Sequence, residues 1–125
     1  MEHKYLEPIG QRAVFYIPAK KLEMKVPHGR ILRKVEKTIH DFFITHYSAY
    51  TFDSYQSMGF WRKDYEDEPI HDELIRYEVS FDESVDNFIN FLAELCSLIE
   101  EECIYLTMGS HSYLVKPKST PTEKK

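Results

Sequence analysis

Little in this chain of 125 residues announces chemistry: it holds two cysteines, four glycines and one tryptophan. The two thiols, Cys96 and Cys103, are too few for the disulfide framework of a small secreted domain. They read as reduced side chains in a cytoplasmic protein. With so few glycines there is no G-x-x-x-x-G-K phosphate loop, and G-x-S-x-G and C-x-x-C are missing too. No apolar run approaches the roughly 20 residues that cross a bilayer, so no membrane association is expected. The opening Met1-Glu-His-Lys-Tyr-Leu-Glu-Pro8 has no apolar stretch of the secretory kind. These absences exclude a disulfide scaffold and the commonest nucleotide and nucleophile motifs.

What is present is aromatic and electrically divided. Nine Tyr and eight Phe argue for a packed globule rather than a disordered chain. The length suits one domain, read as 1–115, with the polar Lys116–Lys125 (KPKSTPTEKK) as a disordered tail. Residues 1–63 carry eleven Lys/Arg against six Asp/Glu, whereas residues 64–102 carry fourteen acids and one base, Arg76. A chain with pI near 5.7 is not a general nucleic-acid binder.

Hydrophobic periodicity sets the elements. Ala13, Phe15 and Ile17 alternate with Arg12, Val14 and Tyr16, a strand that Pro18 ends. Leu22, Met24 and Val26 alternate as a short edge strand or extended connection. Ile31, Val35, Ile39, Phe42 and Phe43 share a helical face, which predicts a helix from about Arg30 to Thr45. Tyr50–Tyr55 fits a strand continuing toward Trp61, and Arg62–Asp72 reads as a loop. Ile75, Tyr77, Val79 and Phe81 alternate as the clearest strand. A second helix follows, capped by Asp82 or Ser84, with Val85, Phe88, Ile89, Leu92, Cys96 and Ile99 as its stripe. Glu100–Glu102 stand at its C-terminal end, where the helix dipole disfavours acids. Ile104, Leu106 and Met108 close the order β-α-β-β-α-β, and Tyr113–Val115 pair again after a turn at Gly109.

That order predicts an α+β, ferredoxin-like βαββαβ fold: an antiparallel sheet with two helices on one face. Through the helix Ile31–Phe43, the Gly59-Phe-Trp61 segment, the strand Ile75–Phe81 and the closing Cys103–Met108, the chain resembles small ferredoxin-like regulatory domains of the PII-like kind. It is also similar to uncharacterised bacterial proteins of that layout. The resemblance implies an oligomeric regulatory module. No phosphate-binding loop of the PII type is present, so no ligand residues carry over.

Candidate sites are few. Trp61 and Arg62, beside Gly59, offer a ring and a cation for a planar or anionic ligand. Arg30, Arg33 and Lys37 add a basic face for an anionic ligand or an acidic protein. Asp64, Glu66, Asp67 and Glu68 form an acidic patch for a basic partner, and Phe91 and Leu95 widen the second helix beyond what one sheet face needs, as a subunit interface would. His71-Asp72-Glu73 holds ligand types at a spacing that matches no closed metal site, so no metal or other cofactor is assigned. His40 and His46 lie on different faces of a helix, and Ser110 and His111 point apart on an extended chain. The reading is a non-enzymatic binding or regulatory module, a homo-oligomer contacting a small anionic ligand or a protein partner. Its rivals are an acidic inhibitor of the phage type, blocking a cationic site, and a small metal- or histidine-dependent enzyme.

Overall fold

The computed structural model describes residues 4–47, 50–53, 57–62, 66, 68–81 and 85–118, with the side chains of Ser57, Trp61 and Ile70 outside the description. Its elements are β1 (Gln11–Pro18), a 3-10 turn (Ala19–Lys21), β2 (Lys25–His28), β3 (Ile31–Lys34), α1 (Val35–His46), β4 (Tyr50–Phe52), β5 (Ser57–Trp61), β6 (Ile70–Phe81), α2 (Val85–Leu98), β7 (Ile104–Met108) and β8 (His111–Val115).

The α+β class with an antiparallel sheet and two helices holds, but the simple four-strand order does not. Among the described residues there are eight strands, six of them in one sheet. β6 pairs with β1 along one edge and with both β4 and β5 along the other; β7 and β8 extend the sheet beyond β1. All these pairings are antiparallel. β2 and β3 form a separate hairpin, turned at Gly29, whose φ of 62° suits a residue without a Cβ.

This hairpin corrects the first helix. Ile31 and Leu32, expected on its apolar face, are strand residues 58% and 62% exposed. The helix begins only at Val35, where its first N–H groups find acceptors outside the helix: Val35 donates to the Met24 carbonyl at 2.8 Å and Glu36 to that of Leu22 at 3.1 Å. A second correction concerns 62–72. β6 starts at Ile70, so His71 and Asp72 are strand residues opposite Phe60 and Gly59. Asp82 and Ser84, the expected caps of α2, lie outside the described residues. The chain is still held at Lys118, whose N–H donates to the Ala93 carbonyl.

Both helices cover one face of the sheet. The odd positions of β1 (Ala13, Phe15, Ile17) are fully buried beneath Val35, Ile39 and Phe43 of α1 and Phe88, Leu92 and Leu95 of α2. Phe15 is the pivot: its ring lies 5.1 Å from Tyr77, 5.7 Å from Phe43 and 6.0 Å from Phe88, joining β6, α1 and α2. Burial of each such side chain contributes about 1.5–3 kcal/mol. Among the described residues no polar or charged residue is fully buried, so this core is held by packing alone.

Candidate active site

Among the described residues no helix covers the other face of the sheet. Strand geometry sends alternate side chains there: Arg12, Val14 and Tyr16 from β1, Asp72, Leu74, Arg76 and Glu78 from β6, and Tyr105 from β7. Its upper part is closed by charge pairing. Glu78 accepts from Arg12 at 2.7 Å and from Arg76 at 2.9 Å, which holds its carboxyl below the ordinary range. Its lower part opens into a cavity of about 510 Å³ where β1 ends and β6 and β7 begin. That size falls in the range of roughly 300–1,000 Å³ typical of small-molecule sites.

The cavity is built by local rules that can be followed residue by residue. Tyr16 and Tyr105, on neighbouring strands, bring their rings to 6.0 Å, and the Tyr105 hydroxyl lies 3.1 Å from Ser112 Oγ. Leu74 lines the wall because Gly59 leaves room for it. A Cβ at Gly59 would stand 2.6 Å from Leu74 Cδ1. Ser57–Trp61 pair with Ile70–Leu74 in unbroken register.

The acidic side of the cavity comes from the connection between α2 and β7. The helix ends in a Schellman turn, with the Glu100 N–H bonded to the Ser97 carbonyl and the Glu101 N–H to that of Cys96. Glu100 takes the left-handed position with φ 59°, a conformation usually filled by glycine. The turn delivers Glu101 and Glu102 to the cavity wall, opposite Asp72 on β6. The Cys96 thiol donates to the Glu101 carbonyl at 3.2 Å, and Lys21 Nζ stands 3.5 Å from the Glu101 carboxylate. Burial pushes the Glu101 carboxyl above its ordinary range, opposed by Lys21 and reinforced by Asp72. Burial likewise raises the Cys103 thiol on the same wall, which keeps it a poor nucleophile.

Among the described residues, three carboxylates (Asp72, Glu101, Glu102) thus face the cavity against one guanidinium, Arg62. Aromatic rings of Tyr16, Phe60 and Tyr105 complete it. Carboxylates beside ring faces are the surroundings a cation carrying a flat ring system prefers. A carboxyl raised by burial is also the usual form of a group that exchanges protons near neutral pH.

Of the residues expected to bind a ligand, only Arg62 is known to line this cavity. The Trp61 side chain lies outside the described residues. Arg30 sits in the β2–β3 turn, Arg33 lies on β3 and pairs with Asp41 at 2.7 Å, and Lys37 is exposed on α1. Of the expected partner patch, Glu66 and Glu68 are exposed, while Asp64 and Asp67 lie outside the described residues. Leu95 is 1% exposed and packs the core, so it offers no surface to a partner. Phe91 stacks on Phe42 with ring centroids 3.9 Å apart, joining the two helices of one chain. Among the described residues no group of three or more His, Cys, Asp or Glu is placed to hold a metal ion, and no helix is long and apolar enough to cross a membrane.

Sequence reasoning did not single out Tyr16, Glu101 or Tyr105. One signal for Glu101 was available: three acids at a helix end that disfavours them.

No protein-family model matches the chain, and no curated protein does. Two solved structures share its fold. One is a phage SAM lyase in complex with S-methyl-5'-thioadenosine, with a TM-score of 0.57 at 10% identity over 90% of this chain and 96% of that one. The other is a phage SAM lyase in the apo state, with a TM-score of 0.54 at 12% identity over 95% and 97%. At such identity the likeness establishes the fold. It also overturns the leading expectation of a non-enzymatic regulatory module, because the proteins found with this fold are enzymes.

Proposed function

We propose that the chain is a lyase acting on a sulfonium nucleoside of the S-adenosylmethionine type, bound in the cavity between Tyr16, Asp72 and Glu101. The observation that carries this reading is the fold shared with the phage SAM lyase over 90% of the chain. The chemistry of the cavity supports it. A sulfonium is a cation, and the acidic, ring-lined wall suits it better than an anion. When the carbon–sulfur bond breaks, its electron pair stays on sulfur, which becomes a neutral thioether. The carbon takes its new electron pair either from the carboxylate of its own arm, which closes a lactone, or from the adjacent C–H bond, whose proton passes to a cavity carboxylate, since a lyase adds no water. Positive charge at sulfur falls as the bond breaks, so a partly dehydrated wall favours the transition state over the bound cation. Asp72 and Glu101 hold the cation, Tyr16 and Tyr105 lie against the rings, and Arg62 takes the carboxylate of the amino-acid arm.

The test is turnover. Protein incubated with S-adenosylmethionine should release S-methyl-5'-thioadenosine over many cycles, followed by chromatography. Asp72→Asn and Glu101→Gln should each lower kcat/KM about 10²-fold with the circular dichroism unchanged. A folded protein that releases no thioether contradicts the proposal.

Two broader expectations accompany this reading. The two thiols are free, as in a cytoplasmic protein. A homo-oligomer is supported by the apolar outer edge of the sheet, where Phe52, Met58 and Phe60 are more than half exposed. A light-scattering mass equal to one chain would remove the oligomer and leave the lyase standing.

A further inference from the structure

Lys21 stands outside the cavity, on the 3-10 turn that follows β1. Its side chain is largely covered, and its ammonium makes two contacts with a single segment. It donates to the Ile99 carbonyl at 2.5 Å and lies 3.5 Å from the Glu101 carboxylate. Ile99 and Glu101 flank Glu100, the residue in the left-handed position. One cation therefore grips both sides of the turn that projects Glu101 into the cavity. The Cys96 thiol holds the same turn through the Glu101 carbonyl. The backbone of this turn is fixed by four bonds, one of them from Lys21, but only Lys21 acts on the Glu101 side chain among these contacts.

We infer that Lys21 is a positioning residue that sets the Glu101 carboxylate in the cavity wall. The role of Glu101 in turnover rests on the lyase reading; the grip of Lys21 on Glu101 does not. The charged and titratable groups around the Glu101 carboxyl are Lys20 and Lys21 on the 3-10 turn, Asp72 on β6, Cys96 on α2, Glu102 and Cys103 on the connection, and Arg62 across the cavity. Burial and Asp72 favour the protonated carboxyl, whereas Lys21 and, less strongly, Lys20 favour the carboxylate. Lys21 is the cation in direct contact, and its removal shifts the balance toward the neutral acid.

The experiment follows the Glu101 side-chain carboxyl by carbon-13 NMR through a pH titration of the full chain, in the native protein, Lys21→Met and Lys21→Arg. Lys21→Met should move the Glu101 midpoint upward by about one pH unit, and Lys21→Arg should return it close to native. With S-adenosylmethionine as substrate, Lys21→Met should move the acid limb of the pH–rate profile upward with that midpoint. It should lower kcat by about tenfold or more, as misplacement of a reacting group does. Lys21→Arg should rescue both and remains informative if the methionine variant folds poorly. An unchanged Glu101 midpoint in folded Lys21→Met overturns the inference. A moved midpoint with an unmoved pH profile supports the grip of Lys21 and contradicts a role of Glu101 in turnover. A native protein without turnover removes the lyase reading, and the titration alone then decides whether Lys21 governs Glu101.

Discussion

The covered face of the sheet and its open end are made from the same strands and obey opposite rules. Along β1, Ala13, Phe15 and Ile17 point into a core with no buried charged residue among the described residues, while Arg12 and Tyr16 point to a face lined with charge and hydroxyls. Along β6, Tyr77 and Val79 belong to the first region, Asp72 and Glu78 to the second. The first region gives the molecule its stability. The second tolerates a left-handed glutamate, a carboxyl raised by burial and a strand position that only glycine fills without displacing Leu74. Departures from local preference gather around the cavity, which is where a functional site is expected to accept them.

Substitutions test this division by size of effect. Phe15→Ala should be the most damaging, with a loss of about 3–5 kcal/mol in urea denaturation, because its cavity opens among three elements. A loss below about 1 kcal/mol would mean that the covered face is not the source of stability. Gly59→Ala should cost roughly 1–2 kcal/mol, since the new methyl displaces Leu74. It should also weaken ligand binding, which separates it from a core substitution.

Glu100→Gly should act in the opposite direction. Relief of the left-handed strain outweighs the added freedom of the unfolded chain, for a net gain of roughly 0.5–1 kcal/mol. No gain would show that Glu100 is not strained.

The raised carboxyl of Glu101 has its own signature. Its folded state keeps a proton that the unfolded chain releases near the ordinary value of 4.5, so its contribution to stability falls as pH rises from there through the folded value. Denaturation midpoints between pH 4 and 7 should show a decline that Glu101→Gln lacks. Glu78 has the reverse sign, its contribution falling as the medium is acidified through its lowered value. Because that group is exposed and screened, Arg12→Ala should leave the midpoint within experimental scatter.

The sequence was legible where one face of an element is buried. The alternation of Ala13–Ile17 and Ile75–Phe81 and the stripe of Val85–Ile99 matched observed strands and helix, because burial on one side writes a period into the chain. It failed at Ile31–Lys34, where the apolar spacing suits a helix but Pro27 and Gly29 turn the chain into a hairpin. The site was hardly legible. Tyr16, Asp72, Glu101 and Tyr105 come from three separated segments and meet only through the β1–β6 and β1–β7 pairings. Arg62, singled out beside Gly59 in one short stretch, lines the cavity. Arg33 was misplaced because a basic residue read as a helix surface is in fact a strand residue paired with Asp41.

The most direct measurement is an experimental structure of the protein with S-methyl-5'-thioadenosine. The account predicts the thioether in the cavity beneath Tyr16 and Tyr105, its sulfur facing Asp72 and Glu101. A complex with the ligand seated elsewhere, or a protein that takes up none at saturating concentration, would contradict it.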